Sequence, residues 1–230
     1  FILICFFIFT FSILLDSFMS SKQANISELQ LTYNNLSLFR QGILYIPFCT
    51  VITMKLLEFI DNISIIIRLE RKNKIWNQAI IHILITNFII SIYLVSFSYI
   101  SGLLFTQQRY MEISRTLILL ISLILLYTIG MSLLVSIVLI IKIITGSKVI
   151  SYMLLLAIMV QEILNQKYSL ILSDISFNME YLSNYILAIL NFFKFSGITI
   201  LMFESGRIIY EKGEVYNTKK LLMSENNYDD

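Results

Sequence analysis

Long apolar blocks alternate with short polar segments along most of this chain. The blocks lie at about 1–15, 42–66, 77–105, 116–144, 149–164 and 185–203, and a polar tail covers 204–230. A helix needs about 20 mostly apolar residues to cross the hydrocarbon core, whereas a barrel strand needs about 10 with strict alternation. The pattern therefore predicts an all-α, polytopic membrane bundle of about six transmembrane helices.

Two of these blocks are short for a span. The block at 1–15 ends at Asp16, and we expect it to be a first span that is truncated at its start. Val149–Leu164 either crosses with little tilt or joins the mixed stretch after it in a re-entrant or interfacial helix. Between the first two blocks, Ser17–Gln41 is predicted to be a polar loop.

The cations are distributed unevenly between the segments that join the blocks. With six spans and the N-terminus in the cytoplasm, the cytoplasmic segments hold ten cations and the outer segments hold five. Cytoplasmic loops of membrane proteins carry an excess of Lys and Arg. The sequence therefore predicts that both termini are cytoplasmic. The inner set is Arg68, Arg71, Lys72, Lys74, Lys142, Lys148, Arg207, Lys212, Lys219 and Lys220, and the outer set is Lys22, Arg40, Arg109, Arg115 and Lys167.

Ionisable residues inside the apolar blocks are candidate functional residues. Lys55, Glu58 and Asp61 are spaced three residues apart, which places them along one side of a helix. They either pair within that helix near the cytoplasmic interface, or line a polar path and meet another helix. Lys194 interrupts the last block, and we expect it to face the bundle with Glu162 or Asp61 as its partner.

A charged segment separates the second and third blocks. It contains Arg68, Glu70, Arg71, Lys72 and Lys74, and Trp76 follows after one further residue. Four cations within seven residues are expelled from hydrocarbon, so the segment is predicted to lie in the cytoplasm. Trp76 is predicted to be an aromatic anchor at the membrane interface.

Composition and motifs exclude several classes of protein. Of the 230 residues, 57% are hydrophobic and 14% are charged, against about 25% charged in soluble domains. A net charge of +2 gives no basis for nucleic-acid binding. The sequence has no phosphate-binding glycine loop, nucleophile elbow or metal-ligand spacing, and its one histidine is His82. We therefore predict no enzymatic activity, no cofactor and no metal site.

The arrangement of blocks resembles that of ABC-2-type transporter permease subunits, in particular small bacterial ones of the Firmicute kind. The resemblance is carried by Phe59–Trp76, where basic residues, a tryptophan and a long apolar helix follow one another, and by Val149–Asn184 between the last two spans. It implies a permease in the bacterial plasma membrane, surrounded by lipid. It also implies that Arg68–Trp76 meets a separate ATP-binding cassette subunit, and that two permease subunits, identical or different, form a dimer.

Two other interpretations stay open at this point. One is a fragment of a multi-pass chemosensory receptor. Against it, Pro47 is the only proline, whereas receptors of the G-protein-coupled kind have prolines within several of their spans. The other is an orphan membrane protein of the assembly or immunity type.

Overall fold

The described part of the chain is helical. In the computed structural model it comprises residues 2–21, 27–58, 72–106, 113–165, 171–178 and 180–225, and these ranges contain no β-strand. The prediction of an all-α fold is therefore confirmed. Helix α1 (Ile2–Ser21) continues past Asp16, where the first block was predicted to end. The Asp16 carboxylate pairs with Arg40, so the helix can include this residue without leaving its charge unpaired.

The second crossing segment begins earlier than predicted. Helix α2 (Glu28–Asn35) occupies residues assigned above to a polar loop, so that prediction is wrong for this stretch. The helix starts at a capping box, in which Ser27 and Gln30 each accept a hydrogen bond from the other's backbone N–H. Leu29 and Leu31 are both fully buried, although their spacing places them on opposite sides of the helix.

The segment then changes pitch before it becomes a regular helix again. Helix α3 (Leu38–Arg40) leads into a π-helical stretch at Gln41–Tyr45, and helix α4 (Ile46–Leu56) follows with Pro47 in its first turn. Proline has no N–H to donate and disturbs the regular α-helical ladder, and here it directly follows the π-helical stretch, where that ladder is already interrupted. Glu28–Leu56 is therefore one long, locally distorted helical segment.

The remaining helices differ greatly in length. In chain order they are α5 (Lys72–Phe105), α6 (Ile113–Thr145), α7 (Lys148–Leu164), α8 (Leu172–Ile175), α9 (Glu180–Ser183) and α10 (Tyr185–Glu225). Among the described residues, four segments are long and apolar enough to cross a membrane: Glu28–Leu56, Lys74–Phe105, Ile113–Thr145 and Tyr185–Glu211. These four segments mark the chain as an integral membrane protein.

Helix α6 lies at the centre of the bundle. In its most apolar stretch 72% of the residues are buried, and α4, α5, α7 and α10 all pack against it. Polar contacts join the neighbouring helices. Thr53 donates to the Asn87 side-chain oxygen at 3.2 Å, and the Asn87 amide donates to Ser132 at 3.1 Å. Such interhelical hydrogen bonds stabilise membrane bundles, in which burial of apolar surface provides little driving force.

Contacts along the helices establish their directions. Helix α10 runs parallel to α6, because Phe193 lines the same groove as Leu125, and Gly206 lies against Ile140. Trp76 also lies at Gly206, so the start of α5 is at the same end of the bundle as Thr145. We call this the Thr145 end, and the other the Ile113 end.

Candidate functional site

The stretch between α7 and α10 contains the two short helices α8 and α9 and is not one continuous helix. We call it the discontinuous segment. Helix α7 starts after a turn at Gly146 (φ +67°), and the Ser147 hydroxyl caps it by accepting from the Ile150 N–H. Its 17 residues rise about 25 Å, which is half the rise of the 33 residues of α6. The chain therefore leaves regular helix about halfway along the bundle and continues through the two short helices α8 and α9.

This segment inserts against the middle of α6. The Ile175 side chain fills the space over Gly130, where an added Cβ would lie 2.5 Å from its Cδ1. Gly130 lies within one residue of the midpoint of α6. The Phe177 N–H donates to the Tyr127 hydroxyl at 2.9 Å. Irregular backbone at this depth requires such partners, because hydrocarbon offers none.

Glu162 stabilises the start of the discontinuous segment. The residue is 9% exposed, and its carboxylate accepts from the N–H groups of Ile171, at 3.2 Å, and of Leu172, at 2.5 Å. These donors belong to the first turn of α8, where N–H groups lack intrahelical partners and a negative charge is favourable. The prediction that Glu162 pairs with Lys194 is wrong, since the carboxylate acts as a helix cap.

Lys194 pairs with Asp174 instead. Its Nζ lies 2.6 Å from Oδ2 of Asp174, and the two side chains are 51% and 33% exposed. Tyr181 donates to the Asp174 carbonyl oxygen at 2.7 Å and accepts from the Asn191 amide at 2.8 Å. The expectation that Lys194 faces the bundle is also wrong, because the pair lies on its outer surface.

The depth of this ion pair makes it unusual. Asp174 precedes Ile175, which contacts Gly130, and Lys194 lies twelve residues before Gly206, which contacts Ile140 on the parallel helix α6. Both charges are therefore level with the middle third of α6. A single charge at the centre of a bilayer costs about 2.5–3.5 kcal/mol on insertion scales, and such residues commonly mark functional sites.

A second polar cluster lies at the Thr145 end. Glu58 accepts from the Lys148 ammonium at 3.2 Å. Of the two arrangements considered in the sequence analysis, Glu58 therefore has the second, in which the side chain meets another helix. Together with Lys55, Met54 and Tyr152, the two residues line an open cavity of about 320 Å³. Lys55 and Glu58 therefore lie apart from Glu162 and Lys194. Asp61 lies outside the described residues.

Trp76 is buried rather than interfacial. Its indole is 2% exposed, donates from Nε1 to the Phe203 carbonyl oxygen at 3.0 Å, and stacks on Tyr210 at 5.8 Å between centroids. The prediction of an anchor is wrong, because Gly206 leaves room for the ring inside the bundle. Of the predicted coupling residues, Arg68, Glu70 and Arg71 lie outside the described part, as does the Lys72 side chain, while Lys74 is exposed on α5.

The residues that complete the mid-depth site were not identified from the sequence. Asp174, Tyr127 and Tyr181 lie in stretches with no distinctive spacing, so their contact with Lys194 and Phe177 depends on the fold. Sequence distance gives no signal either, since Glu180, Glu204 and Glu211 are all nearer to Lys194 along the chain than Asp174 is.

These features define the class of protein as a helical integral membrane protein with a discontinuous segment and an ion pair at mid-depth. Comparison with known proteins gives no closer assignment: no family model, no curated protein and no solved structure matches the chain.

Proposed function

We propose that this chain is the membrane-spanning permease subunit of an ABC-type exporter. It moves a substrate across the membrane with ATP that a separate partner subunit hydrolyses. The observation that supports transport most strongly is the Lys194–Asp174 pair at mid-depth, beside an interrupted helical crossing. Interrupted helices with charged or polar groups at the bilayer midplane are typical of transporter binding sites.

The proposed topology has six crossings. Four are the long segments, the fifth is α1, and the sixth is formed by α7, α8 and α9 together. Helix α7 ends about halfway along α6 and α10 starts toward the Ile113 end, and in the proposed topology the short helices complete the crossing. Lys74, Lys142, Lys148 and Arg207 all lie toward the Thr145 end, which supports a cytoplasmic position for that end and for both termini.

Trp76 provides a physical connection between the charged segment and the mid-depth site. It lies two residues after Lys74, the last basic residue of the segment, and is hydrogen-bonded and packed against α10 at Phe203, Gly206 and Tyr210. Lys194 lies nine residues before Phe203 on α10, and the helix is continuous between them. A displacement of the segment by a docked ATPase is therefore passed through the indole to α10, and from there to the ion pair. This is the proposed route by which ATP hydrolysis opens the path.

Charge reversal in the segment tests the proposed partner. The double variant R71E/K72E and its matched control K219E/K220E each replace two adjacent lysines or arginines with glutamates. We expect the wild type and the control, purified in mild detergent from the native membrane, to carry co-purifying ATP hydrolysis. R71E/K72E should lose that activity while its level in the membrane is unchanged, because its cations provide the contact.

Two results would contradict the proposal. One is ATP hydrolysis that co-purifies equally with R71E/K72E and the wild type, which would remove the docking role of the segment. The other is wild-type protein from the native membrane with no associated ATP hydrolysis, which would remove the ABC-type partner altogether.

A further inference from the structure

A polar cavity lies between two interrupted stretches of the chain. It has a volume of about 350 Å³, and one wall is formed by the end of α2 and by α3. The other wall is formed by α8 and the residues that follow it. We call it the serine cavity, because five side chains with hydroxyl or amide groups line it: Tyr33, Ser37, Ser173, Ser176 and Asn178.

The serine cavity lies at a depth where polar groups are unusual. Two of its serines lie on either side of Ile175, which fits against Gly130 near the midpoint of α6. The Tyr127 hydroxyl donates to the Leu36 carbonyl oxygen at 3.4 Å and accepts from the Phe177 N–H at 2.9 Å. Both walls are therefore level with the middle third of α6. Hydrocarbon does not satisfy hydroxyl and amide groups, so polar groups at this depth require partners within the protein or in a ligand.

The side chains in these walls retain hydrogen-bonding capacity. The Asn178 side-chain oxygen accepts from the Glu180 N–H at 3.2 Å, which leaves the amide N–H groups of Asn178 as donors. The Ser176 hydroxyl donates to a backbone carbonyl oxygen of its own turn at 3.3 Å and is still an acceptor. Gln41 lies one turn after Ser37 on the same side of the chain, and both polar atoms of its fully buried amide lack a partner among the described residues. The site therefore offers both donors and acceptors.

The lining favours an uncharged ligand. None of the described residues that line the cavity carries a charge at neutral pH. Asp174 follows Ser173 directly, but its carboxylate is paired with Lys194 at 2.6 Å. A charged ligand at this depth would therefore lack a counter-charge, which is costly where solvation is poor. Serine, tyrosine and asparagine side chains both donate and accept, so the ligand groups that match them best are hydroxyls.

Aromatic rings provide the apolar part of the same site. Tyr33 packs edge-to-face against Phe177 with the ring centroids 5.9 Å apart, and Phe39 lines the cavity with 59% of its surface exposed. Small-molecule sites of about 300–1,000 Å³ typically combine apolar and aromatic walls with a few polar groups. A sugar ring has apolar C–H faces and a rim of hydroxyl groups, and it is complementary to both parts of this lining.

We propose that the serine cavity binds an uncharged polyhydroxy group of the kind found in neutral sugars. This inference rests on the proposed function and identifies the class of substrate that the permease moves. The cavity is also connected to the ion pair, because Asp174 follows Ser173 in α8 and holds Lys194 of α10. A displacement of α10 therefore reaches the cavity wall, which links the movement of the helix to release of the ligand.

Thiol labelling in native membrane vesicles tests the site without reference to ATP hydrolysis. S37C places a cysteine in one wall, and Ser37 makes no side-chain cap hydrogen bond that this change would remove. S205C, at an exposed position on α10, is the matched control. The native Cys5 and Cys49 are each 1% exposed, so wild-type protein provides the background.

The labelling rates with N-ethylmaleimide should depend on the sugar that is added. At saturation, glucose or galactose should slow the labelling of S37C several-fold and leave S205C unchanged. Glucuronate and galacturonate have the same rings with a carboxylate and should leave both rates unchanged. Adding N178L to S37C should abolish the protection while the labelling itself persists, because the amide donors are lost.

Octyl glucoside below its micellar concentration separates two sources of the sugar group. Protection by free sugars assigns a soluble ligand, and protection by octyl glucoside alone assigns a sugar carried on an apolar chain. An unreactive S37C, no protection by any of the three neutral sugars, or equal protection by the uronates would overturn the site, whatever the ATPase result. Protection in protein without co-purifying ATP hydrolysis would leave the site intact and contradict the proposed function alone.

Discussion

At the scale of single residues, the discontinuous segment depends on polar partners that lie far apart in the sequence. Glu162 caps α8, Tyr127 accepts from Phe177, and Lys194 pairs with Asp174. The sequence identified Glu162 and Lys194 as unusual because charges are rare inside apolar blocks. It did not identify their partners, since a carboxylate near a lysine is equally suited to an ion pair and to capping a helix. Tertiary packing makes that choice.

The role of Glu162 gives a prediction about stability. Removing the carboxylate in E162A leaves two N–H groups of α8 in an apolar surrounding, and an unsatisfied buried donor costs about 1–3 kcal/mol. E162Q retains an oxygen acceptor and should therefore lose less stability than E162A. We expect the order wild type, E162Q, E162A in the melting temperature of purified protein in detergent. Equal melting temperatures for E162A and the wild type would contradict the capping role.

The ion pair gives a second prediction at this scale. K194M leaves Asp174 without its partner, whereas K194M/D174L removes both charges. Removing one partner of an ion pair in a poorly solvated site is more damaging than replacing both with apolar residues. The single variant should therefore accumulate less in the membrane than the double variant, as measured by quantitative immunoblotting of membrane fractions. The opposite order would show that the pair is adequately solvated.

At the scale of elements, long apolar helices could be predicted and distorted ones could not. The cores of α5, α6 and α10 were predicted because uninterrupted apolar runs of this length have few alternatives. Helix α2 was missed because its eight residues, ELQLTYNN, are mostly polar, and they are buried only by packing onto α1 and α5 in the folded bundle. The sequence predicted that the apolar block of α7 is short. The depth at which its helix ends depends on packing, because Ile175 of the following segment fits against Gly130 of α6.

The contact between α5 and α10 gives a prediction with a matched control on the same helix. A Cβ at Gly206 would lie 2.5 Å from the Trp76 ring, whereas one at Gly197 meets no atom within 4 Å. G206A should lower the melting temperature of detergent-purified protein. G197A should keep or raise it, because alanine exceeds glycine in helix propensity by about 1 kcal/mol. Adding W76L to G206A should restore part of the loss, and the absence of any difference between G206A and G197A would contradict the contact.

At the scale of the whole molecule, the account depends on how often the chain crosses the membrane. Hydrophobic blocks predicted about six crossings, and four segments have the length and composition to cross as single helices. The difference lies in α1 and in the stretch from α7 to α9, which crosses only if its short helices reach the Ile113 end. A re-entrant hairpin would turn α10 round and put Arg207 at the Ile113 end, whereas α10 runs parallel to α6 and Arg207 lies toward the Thr145 end with Lys142 and Lys148.

The most direct test of the account places one cysteine at each end of that stretch. T145C lies at the end of α6 and E180C at the start of α9, and both positions are exposed. In intact cells treated with a membrane-impermeant thiol reagent, the account predicts that E180C is labelled from outside and that T145C is labelled only after the cells are opened. Labelling of both positions from the same side would contradict the sixth crossing, and with it the mid-depth path.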